Sequence, residues 1–296
     1  EDAERVDDGA GVIVPAGLSQ GANRRKAGED VASGSTILTA GRFLRPQDVG
    51  LAASVGIAQI SVYRRLRVAV FSTGDEIRDP GTELDSGAIY DANRYVLKGL
   101  LAKINAEVTD LGILPDDIEV IRDALSDAAQ NHDAIITSGG VSVGEEDHIK
   151  PAVEELGSLH FWRLAVKPGR PVALGQINGV PFIGLPGNPA AAMVTFLRFA
   201  RPLILRLSGV EDVEPMIVQV SAAFDHKKKA GRREWVRAHI MIGADGRATA
   251  HKFPREGAGV LSSMVGSDGL VELPEDMTRV EAGSMVDFIP FSEVGA

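Results

Sequence analysis

Arg67-Val68-Ala69-Val70-Phe71-Ser72-Thr73-Gly74-Asp75-Glu76 is the stretch from which the fold can be read. Its first six residues are mostly apolar and partly β-branched, and the run ends on a glycine turn, as a buried strand does. Working outward, Asp91 to Ile104 reads as a helix with Asp91 as N-cap and Val96, Leu97, Leu100, Leu101 and Ile104 on one face. Glu107–Ile113 reads as a strand, Asp117–Gln130 as a helix, Ala134–Thr137 as a strand and Ile149–Leu156 as a helix. Strands at 161–166, 171–174 and 180–184 precede a long apolar helix from Pro189 to Leu207. Such alternation implies an α/β fold, a mostly parallel sheet flanked by helices on both faces, over residues 66–210.

The flanks differ. Residues 1–65 are Gly-rich with short apolar runs (Val12–Val14, Ile37–Leu38, Ile57–Val62) that read as strands, and a helical turn or two follows Pro46. This is a β-rich N-terminal segment with too little apolar mass to be a complete large domain. In residues 211–296 the helices vanish. Runs at 217–220, 234–240, 269–273 and 285–289 lie between Gly, Pro and Asp turns and read as a small all-β C-terminal domain.

The chain has 296 residues, 44% hydrophobic and 24% charged, which is ordinary globular composition for two or three domains. It has no cysteine, which excludes disulfides, thiolate zinc sites and a cysteine nucleophile. A net charge of −10 argues against a dedicated nucleic-acid binder. No apolar run approaches the roughly 18–20 residues of a membrane span, and no signal-peptide pattern opens the chain. The expectation is a soluble cytoplasmic protein. Because residue 1 is Glu, the chain is expected to begin partway into a longer protein.

In an open parallel sheet, ligands bind where loops leave the carboxyl ends of strands. Asp75 and Glu76 put two carboxylates there, and Asp116-Asp117 follow the second strand. Asp91 and Asp117 read equally well as helix caps. The loop Ser138-Gly139-Gly140-Val141-Ser142-Val143-Gly144-Glu145-Glu146-Asp147 offers backbone N–H groups and hydroxyls to an anion, with Asp147 beside them. It lacks Walker and dinucleotide spacing. Lys167-Pro168-Gly169-Arg170-Pro171 holds two cations on a stiff segment, or is a solvated basic turn. Asn188 and Pro189 suit the N-cap and first position of the long helix, whose dipole makes an anion site or serves only to start a helix.

Carboxylates beside anion-binding turns make sense if a divalent cation bridges them to phosphate oxygens, and an oxygen-only site suits Mg²⁺. The residues alone therefore indicate a metal-assisted enzyme acting on a phosphate-bearing or nucleotide-linked ligand, with a second small oxyanion at Lys167 and Arg170. Other features are set aside: Lys227-Lys228-Lys229 as a solvated run, six scattered histidines without ligand spacing, and Trp162 and Trp235 as core or interface residues.

Together, Ser72–Glu76, Asp91-Ala92-Asn93-Arg94, Ser138–Gly144, Lys167–Pro171 and Gly184-Leu185-Pro186-Gly187-Asn188-Pro189 resemble the ordered motif set of molybdopterin molybdenumtransferases of the MoeA type, related to the gephyrin E domain. The resemblance covers nearly the whole chain. It implies a molybdopterin-binding-like fold and the last step of molybdenum cofactor biosynthesis: molybdate insertion into adenylylated molybdopterin, Mg²⁺-dependent, with release of AMP, by a homodimer. Carried over by motif, Asp75, Glu76, Asp147 and Lys167 are catalytic. Glu76, Asp116, Asp117 and Asp147 serve the metal. Gly139, Gly140, Ser142, Arg170, Asn188, Arg232 and Ser263 bind the substrate anions. Family members often have Lys at the position of Arg170 and Ser at that of Ala191. The resemblance also implies a further N-terminal region: a protein that truly lacks it is expected to fold and dimerise poorly and be inactive, whereas a parent protein that carries it is expected to be the enzyme. Two competing readings are a molybdopterin adenylyltransferase, against which the β-rich flanks argue, and a non-enzymatic scaffold on the same fold.

Overall fold

The computed structural model describes residues 3–17, 19–22, 24–141 and 148–295, with Asp7, Phe161 and Trp162 described by their backbone alone. Two compact units result, Glu1–Ser61 and Val62–Ala296.

The first unit carries less strand than its sequence implies. β1 (Glu4–Val6) and β2 (Gly11–Ile13) form an antiparallel ribbon. Helix α1 (Pro46–Ser54) starts on a proline and is capped by Asp48, whose carboxylate accepts the Arg45 N–H at 2.9 Å. Ile37–Leu38 and the 57–62 run form no strand. The Ile57 N–H instead turns back to the Ala52 carbonyl and closes α1, so no ladder starts there.

The second unit contains the α/β layer. Its elements are β3 (Arg67–Thr73), α2 (Asn93–Lys103), β4 (Glu107–Leu114), α3 (Ile118–Asn131), β5 (Ala134–Ser138), α4 (Ile149–Leu156), β6 (Gly157–Arg163), β7 (Val166–Lys167), β8 (Pro171–Ile177) and β9 (Val180–Leu185). The six-stranded sheet has the order β4-β3-β5-β9-β8-β6. β4, β3, β5 and β9 are parallel, and β8 and β6 complete one edge antiparallel. The reversal follows from the Asn178-Gly179 turn, where both residues have positive φ (49° and 83°), because a two-residue hairpin can return the chain only antiparallel.

Strand periodicity assigns the two faces. Val68, Val70, Ile136 and Ile183 pack with Leu97 and Leu101 of α2, whereas Phe71, Ile135 and Phe182 pack with Ile121 of α3 and Ile149 of α4. The expected long helix is present in three pieces: α5 (Pro189–Thr195), a π turn (Phe196–Ala200) and α6 (Arg201–Leu207). Pro202 explains the interruption. It has no N–H to give, and the ladder shifts so that the Arg201 N–H reaches the Phe196 carbonyl.

The longer strands that follow are β10 (Val218–Ala222), β11 (Arg233–Ile242), β12 (Ala248–Lys252), β13 (Gly269–Leu273) and β14 (Met285–Pro290). β12 pairs with both β10 and β11, which closes the five into a barrel in the order β11-β12-β10-β14-β13. Short helical turns at Ser262–Val265 and Phe291–Val294 interrupt this otherwise β region. The single strand expected over 161–166 is divided: β6 stays in the α/β sheet, while β7 leaves it and pairs with the start of β11. Lys228 is buried, its ammonium donating to the Pro274 and Met277 carbonyls at 2.6 Å, so it departs from the solvated run expected there. No helix among the described residues is long and apolar enough to cross a membrane.

Ile136 is fully buried in the central strand β5. Ile136→Ala is expected to lower unfolding stability by about 2–5 kcal/mol, read from urea midpoints at unchanged slope.

Candidate functional site

Parallel pairing brings the carboxyl ends of β3, β5 and β9 together: Ser72 lies opposite Ser138, and Ser138 opposite Leu185. The loops leaving them surround a cleft of about 720 Å³. Its wall includes Ser72, Thr73, Glu76, Asp91, Asn93, Asp116, Gly139, Gly140, Gly169, Arg170, Gly187 and Asn188. Six separate sequence segments thus meet at one sheet edge. A larger groove of about 940 Å³ runs between α2 and the barrel, but aliphatic side chains such as Leu100, Val220 and Met264 dominate its lining.

Backbone conformation shapes the cleft at two glycines. Gly140 has φ of 61°, and a Cβ there would stand 2.7 Å from Ile149 Cδ1. Gly169 has φ of 94°, and a Cβ would overlap the buried Thr195 hydroxyl at 2.2 Å. Arg170 follows on the rim, exposed, and its side chain makes no ion pair among the described residues.

The carboxylates divide by role. Glu76 and Asp116 line the cleft, whereas Asp75 is exposed and lies outside the lining. Asp117 is the N-cap of α3, its carboxylate accepting the N–H groups of Glu119 and Val120 at 2.9 and 3.1 Å. Both bonds end on Oδ1 and hold the carboxylate at the helix start, and of the adjacent pair Asp116 is the one on the cleft wall. Asp91 lines the cleft but is spoken for. The N-cap position of α2 is Ala92, and the Asp91 carboxylate accepts the Arg94 backbone N–H at 3.1 Å and Nε at 3.0 Å. Arg94 is itself buried and also donates to Asp110 at 2.7 Å and to Asp79. Burial opposes the guanidinium charge, but the bonds to Asp110 and Asp91 outweigh it and raise the Arg94 pKa. Ser142 and Asp147 lie outside the described residues.

The helix start at Asn188 differs from expectation. Asn188 and Pro189 hold the N-cap and first position, but the Asn188 side chain makes no capping bond. The Ala190 and Ala191 N–H groups both point to the Ala258 carbonyl, at 2.9 and 3.3 Å. A backbone oxygen already takes those donors, so this helix end is not an open anion site.

Three expected anion-binding residues lie away from the cleft wall. Lys167 and Arg170 part company because β7 is drawn to the barrel. The Lys167 ammonium stands 3.0 Å from Glu256 and 3.6 Å from Glu234, beside a small pocket that Arg237 and Lys252 also line. Arg232 donates to Glu234 at 2.7 Å. Ser263 is buried against Arg237, whose Nε donates to its hydroxyl at 3.0 Å, so Arg237 and not Arg232 is the arginine that meets this serine.

Around Glu234 the structure builds a network that sequence reasoning missed. His226 is buried between Glu234 and Lys252, with Nε2 3.0 Å from Glu234 and Nδ1 3.0 Å from the Lys252 ammonium. An ammonium has only donors, so Nδ1 accepts and the Nε2–H donates to Glu234. Burial opposes the Glu234 charge, but His226, Arg232 and Lys167 outweigh it and hold the carboxyl below its usual range. These residues are scattered from 167 to 256, and no spacing signals them. Asn93, another omission, sat inside a quoted motif, and its place at the start of α2 was the available clue.

Three orphaned or oxygen-only features bear on ligands. Ser72 Oγ and Asn93 Oδ1 are buried without a hydrogen-bond partner among the described residues. The donors on the cleft wall are oxygens and backbone amides, which match a hard cation and phosphate groups. Among the described residues no three His, Asp or Glu side chains group to hold a metal ion.

A parallel sheet with an oxygen-lined cleft at its carboxyl edge, followed by a barrel, defines a ligand-binding α/β protein. Residues 69–206 match the family described as "Probable molybdopterin binding domain", 219–291 the "MoeA C-terminal region (domain IV)" and 1–56 the "MoeA N-terminal region (domain I and II)". The chain is 40% identical to a molybdopterin molybdenumtransferase of Haemophilus influenzae, over 92% of this chain and 68% of that protein. It is 34% identical to molybdopterin molybdenumtransferase 2 of Mycobacterium tuberculosis, over 96% of this chain and 71% of that one. A solved molybdopterin biosynthesis MoeA protein from Pyrococcus horikosii superposes with a TM-score of 0.75 at 29% identity, over 98% of this chain and 70% of that one. The chain belongs to the molybdopterin molybdenumtransferase family.

The network beside Lys167 has a measurable consequence. The Lys252 bond lowers the Glu256 pKa from 4.5 to about 2, burial opposing and Lys167 assisting. A carboxyl depressed on folding adds stability above its unfolded value and loses it as pH falls toward the folded one. Between pH 4.5 and about 2, the wild type is therefore expected to lose stability more steeply than Glu256→Gln, read from urea midpoints against pH. Parallel curves would contradict the pairing.

Proposed function

We propose that this chain inserts molybdate into adenylylated molybdopterin and releases AMP, in a Mg²⁺-dependent final step of molybdenum cofactor biosynthesis. The observation that carries this reading is the convergence of Glu76, Asp116, Gly139, Gly140 and Arg170 on one cleft. Carboxylates alone would repel a phosphate. A divalent cation between them and the phosphate removes the conflict, and Mg²⁺ characteristically takes only one or two protein carboxylates, the rest being water and substrate oxygens. Glu76 and Asp116 fit that role, with Asp147 assigned by family resemblance. When bound, the cation supplies charge neutralisation at the phosphate.

The chain's own groups do the rest. The Gly139 N–H is held by the Leu185 carbonyl at 3.1 Å, so within this turn the Gly140 amide is the one that meets the phosphate, and Arg170 stabilises charge developing on it as AMP departs. Molybdate is assigned to the neighbouring cationic side, where Lys167 and Arg237 flank one small pocket and Ser263 orients the arginine. Glu234 and Glu256 hold Lys167 there until an anion competes for it. The barrel that carries Arg237 is what a molybdopterin adenylyltransferase reading leaves without a role. We take 66–210 as the molybdopterin-binding part, 211–296 as the barrel domain and 1–65 as the partial N-terminal segment.

A cytoplasmic homodimer completes the proposal. In its support, the β1–β2 ribbon leaves Val12 and Ile13 at 58% and 54% exposure, and a two-stranded ribbon is marginal without cover. Light scattering on the protein with the family's N-terminal region in place should give the mass of two copies.

The activity itself is tested by incubating the chain with adenylylated molybdopterin, molybdate and Mg²⁺ and measuring AMP release. Glu76→Gln and Asp116→Asn are each expected to slow release by about 10²–10³-fold. Unchanged rates in both variants would sink the assignment.

A further inference from the structure

Ser138 and Asn93 constrain each other completely. The Ser138 hydroxyl donates to the Pro186 carbonyl at 3.1 Å and accepts from Asn93 Nδ2 at 2.7 Å. The same Nδ2 gives its second hydrogen to the Gly187 carbonyl, also at 2.7 Å. A flipped amide would set Oδ1 against a carbonyl oxygen and against a hydroxyl whose proton is already committed. The orientation of Asn93 is therefore forced, and its Oδ1 is left without a donor.

Ser72 stands beside this arrangement. It pairs in register with Ser138 across the parallel ladder, so their side chains leave the same face of the sheet. Ser72 is only 2% exposed, lines the cleft and has no partner for its hydroxyl among the described residues. Two buried orphans on one wall are costly, and neither contributes to holding the fold.

We infer that Ser72 Oγ and Asn93 Oδ1 together read a neutral polar edge of the substrate, one that presents a hydrogen-bond donor to Asn93 beside a group that bonds the Ser72 hydroxyl. A phosphate cannot fill this role, because its oxygens only accept and would face Oδ1. Hydroxyls of a ribose fit, and so does the N–H and C=O edge of a fused heterocycle. The inference rests on the proposed reading of the cleft and deepens it: Gly140 and Arg170 hold charge, whereas Ser72 and Asn93 select the uncharged part of the ligand.

Ser72→Ala in the full chain provides the test, with Mg²⁺ present and calorimetric titration of AMP, its 2′- and 3′-deoxy analogues, and 6-hydroxymethylpterin. The variant should melt at or above the wild-type temperature, since the deleted hydroxyl bonds nothing in the free protein. Affinity for the probe that carries the edge should fall about five- to tenfold, the equivalent of one hydrogen bond. If the edge is a ribose hydroxyl, one deoxy analogue binds the wild type equally weakly and loses nothing further with Ser72→Ala. If it is the heterocycle, the loss appears with the pterin and both deoxy analogues match AMP. Asn93→Ala should weaken the same probe while lowering the melting temperature through its two lost loop bonds. A Ser72→Ala protein that melts below the wild type, or that binds every probe as the wild type does, overturns the inference and leaves the cleft's broader reading standing. A wild type that binds neither AMP nor the pterin overturns both.

Discussion

The parallel ladder joining β4, β3, β5 and β9 is the constraint on which the rest depends. Because these strands point the same way, every loop at their carboxyl ends opens on one side, and residues as distant as Ser72, Ser138 and Leu185 become neighbours. Helices on both faces make that arrangement affordable in solvation terms: the alternating side chains of each strand are covered twice, once by α2 with α5 and α6, once by α3 with α4. The antiparallel edge then lets the chain turn back through Lys167–Pro171 and lay Gly169 and Arg170 along the same cleft.

Charge is organised around that edge in two separate ways. Within the α/β layer, Arg94 is enclosed by Asp91, Asp110 and Asp79, which ties the start of α2 to β4. At the barrel, Glu234 gathers His226, Arg232 and Lys167. Breaking one partner of such a buried set leaves an uncompensated charge, so these groups specify position more than they add net stability. β7 is the physical link between the two regions: a pair of residues leaves one sheet, joins another, and carries Lys167 away from Arg170.

Much of the fold was legible because strand and helix periods differ and because glycine, proline and capping residues punctuate them. The strands at 67–73 and 134–138 and the helices at 118–131 and 149–156 fall where apolar pattern and N-cap chemistry put them. The failures have identifiable causes. Ile37–Leu38 and Ile57–Val62 had strand composition but found no partner, and a strand exists only as part of a ladder. The 161–166 run is apolar apart from Arg163, and nothing in it recorded that its end belongs to a different sheet.

For the candidate site, residue type and order on strand-end loops were sufficient to nominate Glu76, Asp116, Gly139, Gly140 and Arg170, since those positions follow from where strands stop. Tertiary structure alone separated Asp116 from Asp117, because one carboxylate lies on the cleft wall while its neighbour caps α3. It alone closed the helix end at Pro189 with the Ala258 carbonyl, exchanged Arg232 for Arg237 beside Ser263, and left Asn93 Oδ1 and Ser72 Oγ unpaired. Local sequence determines which elements form and which chemical groups they offer. Whether a given group is spent on the protein or kept for a ligand depends on hydrogen-bond partners brought in from distant segments, and those exist only once the chain has folded.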